Sequence, residues 1–575
     1  MKILLSTLHA KYVHSSLALP YLASACADLD GFQFQILELT VNEQHDQLLS
    51  KLYAADADVI LFSCYIWNTE LTLKLASDLK QLSPTAVIVL GGPEVSFGAF
   101  ELMVRNSAVG CIVRGEGEES CRELLQALAE ERPLGDIAGI TYREGEEIVA
   151  NPERDAVADL DSIPSPFAAG LVDLSKPLVY YETSRGCPFS CAFCMSSIDS
   201  GVRSFAMDRI RRDLRLLMEA GVQTVKLVDR TFNFDAARAN EIWRFILEEN
   251  RSSKFHFEIA AELLTEDNLA LLAGVPPGLF RFEIGVQSGG AETLASVARS
   301  TSLGKLFENV RRLRSETGVT VHLDLVAGLP GESLDGFLAS LQGLFTLNPD
   351  HIQVETLKVM KGTPMRSIAR KERYAYSESA PYKVLHTPWL NFSEVRRVDG
   401  ISRLLDQLYN SGRFATSLSE LGAGAPLSEV FAAAAEFFEQ REIVGNLSLP
   451  LLFEALWSFA ESTLRNQALE RFQDALCFDL CLTGYPGGNT PSFFAANRDK
   501  EEKGAPAGLA AADRGERVRY YRRQFARDYR RHPWIEEPTQ LTFIYRSAPG
   551  KGLQVEVLKP DHKQNLKQAQ TTEVP

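Results

Sequence analysis

Tyr180-Tyr181-Glu182-Thr183-Ser184-Arg185-Gly186-Cys187-Pro188-Phe189-Ser190-Cys191-Ala192-Phe193-Cys194 is the stretch from which the rest of the chain is read. Tyr180–Ser184 reads as the end of a strand, and Arg185-Gly186 turns the chain into a loop carrying three cysteines. Three thiolates on one short loop can grip three irons of a cubane cluster. Such a cluster normally takes four cysteines, so a set of three leaves one iron open to a substrate or cofactor. A three-cysteine zinc site and unbonded core cysteines are the other readings. Zinc sites usually pair two cysteine knuckles or add histidines at short spacing, and no histidine lies near this loop.

Downstream, from Leu178 to about Pro364, short apolar runs alternate with helical patterns. Val179–Thr183, Thr224–Val228, His256–Ala260, Phe280–Gly285, Val319–Val326 and Ile352–Leu357 read as strands, with helices over Ile210–Ala220 and Ala236–Glu249. Six βα units imply an open, partial barrel, a shortened relative of the eightfold barrel whose active site lies at the strand carboxyl ends. The cysteine loop follows the first strand, on that face.

Upstream, residues 1–135 carry a similar rhythm. Lys2–Ser6, Phe32–Leu39, Asp58–Ser63, Ala86–Leu90 and Val109–Val113 read as strands, alternating with helices over Leu17–Ala27, Asp46–Tyr53, Glu70–Leu79 and Glu118–Glu130. Apolar strands alternating with helices imply a parallel sheet covered on both faces, and five such units fit a doubly wound, flavodoxin-like (Rossmann-like) domain. Ligands of that architecture bind at the strand carboxyl ends. Those ends carry His9-Ala10-Lys11-Tyr12, Ser63-Cys64-Tyr65-Ile66-Trp67-Asn68, Gly91-Gly92-Pro93-Glu94 and Arg114-Gly115-Glu116-Gly117-Glu118. Glycines there let a large ligand approach the backbone. Residues 136–176 read as a connector, a hairpin around Glu144-Gly145-Glu146 followed by an extended strap fixed by Pro164 and Pro166. The barrel unit spans 177–365.

Beyond that point, residues 366–575 lose the βα rhythm. Val395–Asn410, Leu427–Gln440 and Leu451–Leu476 read as amphipathic helices, giving a mostly α-helical C-terminal domain. Cys477 and Cys481 read as buried structural thiols. Arg514–His532 reads as a helix with Val518, Tyr521, Phe525 and Tyr529 on one face and arginines beside it. An RNA-binding helix has this pattern, but in an acidic chain a docking helix with solvated arginines is the better reading. Asp499–Asp513 reads as a linker, and the end from Lys559 as a frayed polar tail.

With 575 residues, the chain is too long for one core. Its 45% hydrophobic and 23% charged content are those of a globular protein. A formal net charge of −15 argues against nucleic acid as a general partner. No apolar run is long enough to span a bilayer, and nine cysteines without a secretory leader point to a reducing compartment. The expectation is a cytoplasmic enzyme with no membrane partner.

The CxxxCxxC spacing, with Phe193 just before the third cysteine, resembles the radical S-adenosylmethionine (SAM) enzymes. The preceding layout, with Gly91-Gly92-Pro93 and Gly115-Glu116-Gly117-Glu118, resembles the cobalamin (B12)-binding domain that precedes many radical SAM cores. The chain thus looks like a cobalamin-binding-domain-containing radical SAM protein with an uncharacterised helical C-terminal domain. The resemblance implies a catalytic [4Fe–4S] cluster on Cys187, Cys191 and Cys194, with SAM on the fourth iron and Phe193 near the adenine. It implies SAM-binding positions at Asp229, Glu258, Glu283, Gln287, Gly328 and Gly331, although the Asp229 turn departs from the family's GGEP form. It implies cobalamin-binding positions at Tyr12, Ser63, Gly91, Gly92, Gly115 and Gly117. The DxHxxG signature that supplies a cobalt ligand is absent, leaving His9 and His14 as candidates by position alone. The implied activity is reductive cleavage of SAM to a 5′-deoxyadenosyl radical, most plainly for methylation or another radical transformation of a small-molecule substrate. An electron donor such as flavodoxin or ferredoxin would serve it. The alternatives are a radical SAM enzyme with a non-cobalamin scaffold domain, or an RNA-modifying or RNA-binding radical SAM protein.

Overall fold

A computed structural model describes the chain except for residues 199–200, 444, 488–489, 498–516, 531–533, 548–551, 559–570 and 574–575. It divides into two compact units. The first holds Met1–Ser333, Leu347–Pro349 and Thr356–Phe392, and the second Leu334–Thr346, Asp350–Glu355 and Ser393–Pro575.

The first unit begins with β1 (Lys2–His9), β2 (Gln33–Thr40), β3 (Val59–Ser63), β4 (Val87–Gly91) and β5 (Cys111–Val113). They pair in parallel in the order β2-β1-β3-β4-β5, the doubly wound order expected of a flavodoxin-like domain. β3 is buried at every position because helices cover both faces of the sheet. Leu4, Leu8, Ile60, Phe62 and Leu90 pack on Leu75 and Leu79 on one side. Ile3, Leu5, Leu61 and Val89 pack on Leu19, Leu124 and Leu125 on the other. Two short helices between β4 and β5, Pro93–Ser96 and Ala99–Arg105, have no counterpart in the sequence reading. The hairpin read as connector forms as β6 (Ile140–Glu144) and β7 (Glu147–Ala150). It does more than connect: β6 pairs antiparallel with β5 and extends the sheet to seven strands.

The barrel follows. β8 (Leu178–Tyr181) leads into an antiparallel ribbon, β9 (Ser184–Cys187) and β10 (Gly201–Ser204), which brackets the cysteine loop. β11 (Thr224–Leu227), β12 (Lys254–Ile259), β13 (Phe280–Gln287) and β14 (Thr320–Ala327) pair in parallel from β8 onward. A sixth strand, β15 (His351–Thr356), follows where the chain passes into the second unit. Phe255, Phe257, Phe280 and Phe282 are fully or almost fully buried on the outward side, with Trp243 of the helix Ala236–Glu249 stacked 5.4 Å from Phe282. The alternate positions Tyr180, Lys226, His256, Glu258 and Glu283 are half-buried on the inward side. Full barrels fill that space with apolar layers; here it is polar.

In the second unit, Phe392–Leu404 runs on into a π turn at Leu405–Tyr409, and Leu427–Gln440 is helical as expected. The single helix expected over Leu451–Leu476 is two, Leu449–Thr463 and Asn466–Thr483, broken where Leu464 and Arg465 turn extended. Cys477 and Cys481 are buried free thiols. Among the described residues of Arg514–His532 the expected helix does not form. Arg517–Phe525 is a strand, antiparallel to Thr539–Ser547, in a sheet continued by Gln554–Leu558 and Thr571–Glu573. Val, Tyr and Phe favour a strand, and Arg523 and Phe525 are buried about an exposed Gln524 with period two. Arg527 pairs with Glu420 and Arg530 with Asp528, so the described residues of this segment form no arginine-lined helix. Residues 499–513, the expected linker, lie outside the described residues, as does the tail from Lys559 apart from Thr571–Glu573.

Candidate functional site

The cysteine loop leaves β9 at Cys187. Gly186 has φ +92°, and a Cβ there would lie 2.1 Å from the Gly201 carbonyl oxygen across the ribbon, so only glycine fits. The loop is anchored from outside itself: Ala192 N–H donates to Val297 O at 2.8 Å, and Met365 N–H to Ala192 O at 2.9 Å. Cys187 and Cys194 are half-buried, Cys191 is buried, and all three are free thiols. Cys187 Sγ lies 3.4 Å from Thr231 Oγ1 and Cys191 Sγ 3.7 Å from an Arg299 guanidinium nitrogen. Burial pushes the Cys191 thiol up, and Arg299 pulls against that shift. Three free thiols on one loop, with the Arg299 guanidinium beside Cys191 to balance thiolate charge, fit a three-cysteine iron–sulfur cluster. Arg299, isolated in Val297-Ala298-Arg299, gave no signal in the sequence.

The barrel strand ends carry the other SAM-site candidates. Asp229 is fully buried. It accepts hydrogen bonds from Thr183 N–H at 3.0 Å and from the Thr183 and Ser184 hydroxyls. With both oxygens engaged, it supports the strand that feeds the cysteine loop. Gln287 has φ +71°, and its side chain folds over Gly285, whose Cβ position lies 2.1 Å from the Gln287 amide nitrogen. Arg299 donates to the Gly285 carbonyl at 2.6 Å. Gly328 has φ +91° and its carbonyl accepts the Tyr374 hydroxyl at 3.0 Å; Gly331 has φ +84° with open space beside it. Phe193 packs on the cluster of Leu329, Leu357 and Met365, next to the Gly328 turn.

Deeper in the barrel, Glu258 and Glu283 are register partners. Lys226 Nζ sits between them, 3.0 Å from Glu283 and 3.4 Å from Glu258. His256 Nε2 lies 2.9 Å from the same Glu283 oxygen. Burial opposes ionisation of Glu283, but His256 and Lys226 overcome it and hold the carboxyl well below the usual range. Burial raises Glu258, with Lys226 opposing. His256, Glu283 and His322 are close enough to suggest a metal triad. However, Lys226 already faces Glu283, and an Arg281 guanidinium nitrogen lies 2.9 Å from His322 Nδ1. These fixed cations supply the positive charge, so the group is an ion network.

At the first sheet's carboxyl edge, Tyr12 is 82% exposed and Trp67 47% exposed, with Trp67 stacked on Tyr65 at 4.5 Å. Ser63 is buried, its carbonyl accepting Thr7 Oγ1 at 2.9 Å. A Cβ on Gly92 (φ +103°) would lie 2.6 Å from Cys64 O, and one on Gly117 would press Leu22; those on Gly91 and Gly115 meet no tight contact. Open glycine turns beside exposed aromatic rings fit a large planar group such as a corrin. His9 Nε2 lies 3.3 Å from Glu38 and His14 Nδ1 2.7 Å from the Tyr180 hydroxyl, so each histidine already has a protein partner. Both edges meet within the first unit. His14 reaches Tyr180 on the barrel's inner side, and Glu94 pairs with Lys361 and accepts the Tyr382 hydroxyl.

A flavodoxin-like sheet whose ligand edge meets a three-cysteine partial barrel defines the class: the chain carries a B12 binding domain followed by a radical SAM domain. The B12 binding domain family matches residues 3–125, the radical SAM superfamily 181–343, and a protein family of unknown function, DUF4080, residues 371–537. The 2-(S-pantetheinyl)-carbapenam-3-carboxylate methyltransferase of Streptantibioticus cattleyicolor is 28% identical over 54% of this chain and 48% of its own. The hopanoid C-3 methylase of Methylococcus capsulatus is 29% identical over 52% of this chain and 58% of its own. The chain thus spans about half the length of these curated relatives. Among solved structures, the radical SAM methyltransferase TsrM of Kitasatospora setae, with cobalamin and [4Fe–4S] cluster bound, aligns over 77% of this chain and 99% of its own. That alignment has a TM-score of 0.56 at 17% identity. The cobalamin-dependent SAM radical enzyme OxsB aligns over 83% and 78%, with a TM-score of 0.58 at 17% identity. These two share the fold.

Proposed function

We propose that the chain is a cobalamin-dependent radical SAM methyltransferase acting on a polar small molecule. The observation that carries this reading is the 2.7 Å contact of His14 with Tyr180, which brings the corrinoid edge of the first sheet to the inner wall of the barrel. Methyl transfer is favoured over other radical chemistry by the methyltransferases among the relatives. When bound, the cluster supplies the electron that cleaves SAM and the corrinoid supplies the methyl group.

The protein's own residues bind and orient. Cys187, Cys191 and Cys194 would hold three irons of the cluster and leave one for SAM. Arg299 places a positive charge at Cys191. Lys226, His256, Glu258 and Glu283 line the inner wall with polar and charged groups, which suit a polar substrate and disfavour a bare hydrocarbon. A one-electron donor of the flavodoxin or ferredoxin type is the partner this chemistry calls for.

The test is anaerobic reconstitution with iron, sulfide, hydroxocobalamin and SAM under strong reduction. The expected results are retention of near-stoichiometric corrinoid and production of 5′-deoxyadenosine detected by mass spectrometry. Protein that cleaves SAM but retains no corrinoid overturns the cobalamin half of the reading, and protein that cleaves no SAM overturns all of it.

A further inference from the structure

Glu116 lies in the Gly115–Glu118 turn after β5, one of the glycine turns at the first sheet's ligand edge. Its side chain turns to the barrel. The carboxylate takes both guanidinium nitrogens of Arg203, at 2.7 and 3.0 Å, accepts the Val157 N–H at 2.7 Å, and sits 3.5 Å from Arg185. Glu118, at the start of the helix Glu118–Ala129, pairs with Arg185 at 2.6 Å, and Glu182 takes the same guanidinium at 2.8 and 3.0 Å. Arg185 also lies over the ring of Tyr21, 5.4 Å from its centroid. The side chains of all five charged residues are at most 22% exposed.

Arg185 and Arg203 are not a casual pair. Arg185 is on β9 and Arg203 on β10, and they are direct cross-strand partners in the two-stranded ribbon whose ends bracket the cysteine loop. Like charges directly opposite each other destabilise a strand pair. The ribbon holds together because carboxylates from the first sheet's turn stand against both arginines, Glu116 meeting Arg203 in the bidentate geometry that a guanidinium favours and Glu118 pairing with Arg185. The cysteine loop is therefore closed at its base by residues that belong to the corrinoid-type domain.

We propose that Arg185, Arg203, Glu116 and Glu118 form a positioning clamp that fixes the cluster loop relative to the corrinoid edge. The residues act as positioning residues, through the loop. The clamp rests on the cobalamin reading for its purpose but not for its existence, so the two are tested separately.

The first measurement uses the full-length apo protein and the alkylation rate of Cys187 and Cys194 by iodoacetamide, read by mass spectrometry. Glu116→Gln and Arg203→Met are expected to raise that rate about tenfold, as a locally released loop opens more often. Arg211→Met, which removes an exposed pair with Glu241 elsewhere on the barrel, leaves it unchanged. Wild-type rates in both clamp variants overturn the clamp. If Arg203→Met does not fold, judged by circular dichroism, the nearly isosteric Glu116→Gln decides.

The second measurement uses protein loaded with cluster and cobalamin and reduced with dithionite, where magnetic coupling between reduced cluster and cob(II)alamin reports their separation by electron paramagnetic resonance. Wild type is expected to show one coupling and Glu116→Gln a spread of couplings; identical spectra overturn the clamp. Wild type that retains no corrinoid overturns the proposed function, and the alkylation result still decides the clamp.

Discussion

Asp229 binds Thr183 through both backbone and hydroxyl, and so locks the end of β11 to the end of β8 just ahead of Cys187. Arg238 completes the lock, donating to the Thr183 carbonyl at 2.8 Å and to its hydroxyl at 2.7 Å. Burial raises the Asp229 carboxyl, against hydrogen bonds from Ser184 and Thr183 that lower it. Replacing Asp229 by Ala leaves the Thr183 and Ser184 donors without their acceptor and the buried Arg238 without its nearby negative charge. A loss of about 3 kcal/mol is expected, measured by urea unfolding, together with reduced iron content in the folded fraction. Unchanged iron loading and stability would show that the lock does not hold the loop.

Cys191→Ala removes the buried member of the thiol triplet. Iron and sulfide content are expected to fall to background and SAM cleavage to vanish, while far-ultraviolet circular dichroism stays at the wild-type level. The change in volume is small and the loop remains anchored through Ala192. A reconstituted variant with a full iron complement contradicts the assignment.

Gly92→Ala tests the corrinoid edge. The added methyl meets Cys64 O at 2.6 Å in a backbone region that side chains avoid, at a cost of about 1–3 kcal/mol. The turn must shift, and the variant is expected to retain less corrinoid than wild type after gel filtration, at equal iron content. Equal corrinoid absorbance in both proteins would remove Gly92 from the site.

The second unit supplies a pH dependence. Asp479 is fully buried, and burial pushes its carboxyl up to about 6, against hydrogen bonds from Ser417 and Thr416. The folded value lies above the unfolded one of about 3.9. This group's contribution is thus fully present below pH 4 and is lost as pH rises through 6. At pH 8 the loss amounts to about 3 kcal/mol. Between pH 5 and 8 wild type should lose more stability than Asp479→Asn, measured by urea unfolding of the full chain. Parallel pH profiles for the two proteins would refute it.

Much of the fold is local in origin. Strands such as Val59–Ser63 are apolar at every position because both faces are covered, and that composition is visible without coordinates. The helices Ala236–Glu249 and Leu427–Gln440 begin and end where their periodicity does. Arg517–Phe525 carries a helical expectation because Val518, Tyr521 and Phe525 fit a helical face as well as a half-buried strand, and its pairing with Thr539–Ser547 lies in no local window. The single helix expected over Leu451–Leu476 failed similarly, since apolar residues continue across the break at Leu464–Arg465.

The sequence by itself determined the chemistry of the site and the order of its two βα domains. Cysteine spacing and hydrophobic rhythm are properties of neighbours along the chain. Only the tertiary structure decided what the charged side chains do. Glu283 turns to Lys226 and His256 rather than to Arg281 of its own strand, because alternate inward positions on adjacent strands meet inside the barrel. Asp229 faces Thr183, and Glu116 reaches Arg203 of another domain. A buried charge must find a partner in space, and these partners come from different strands or domains.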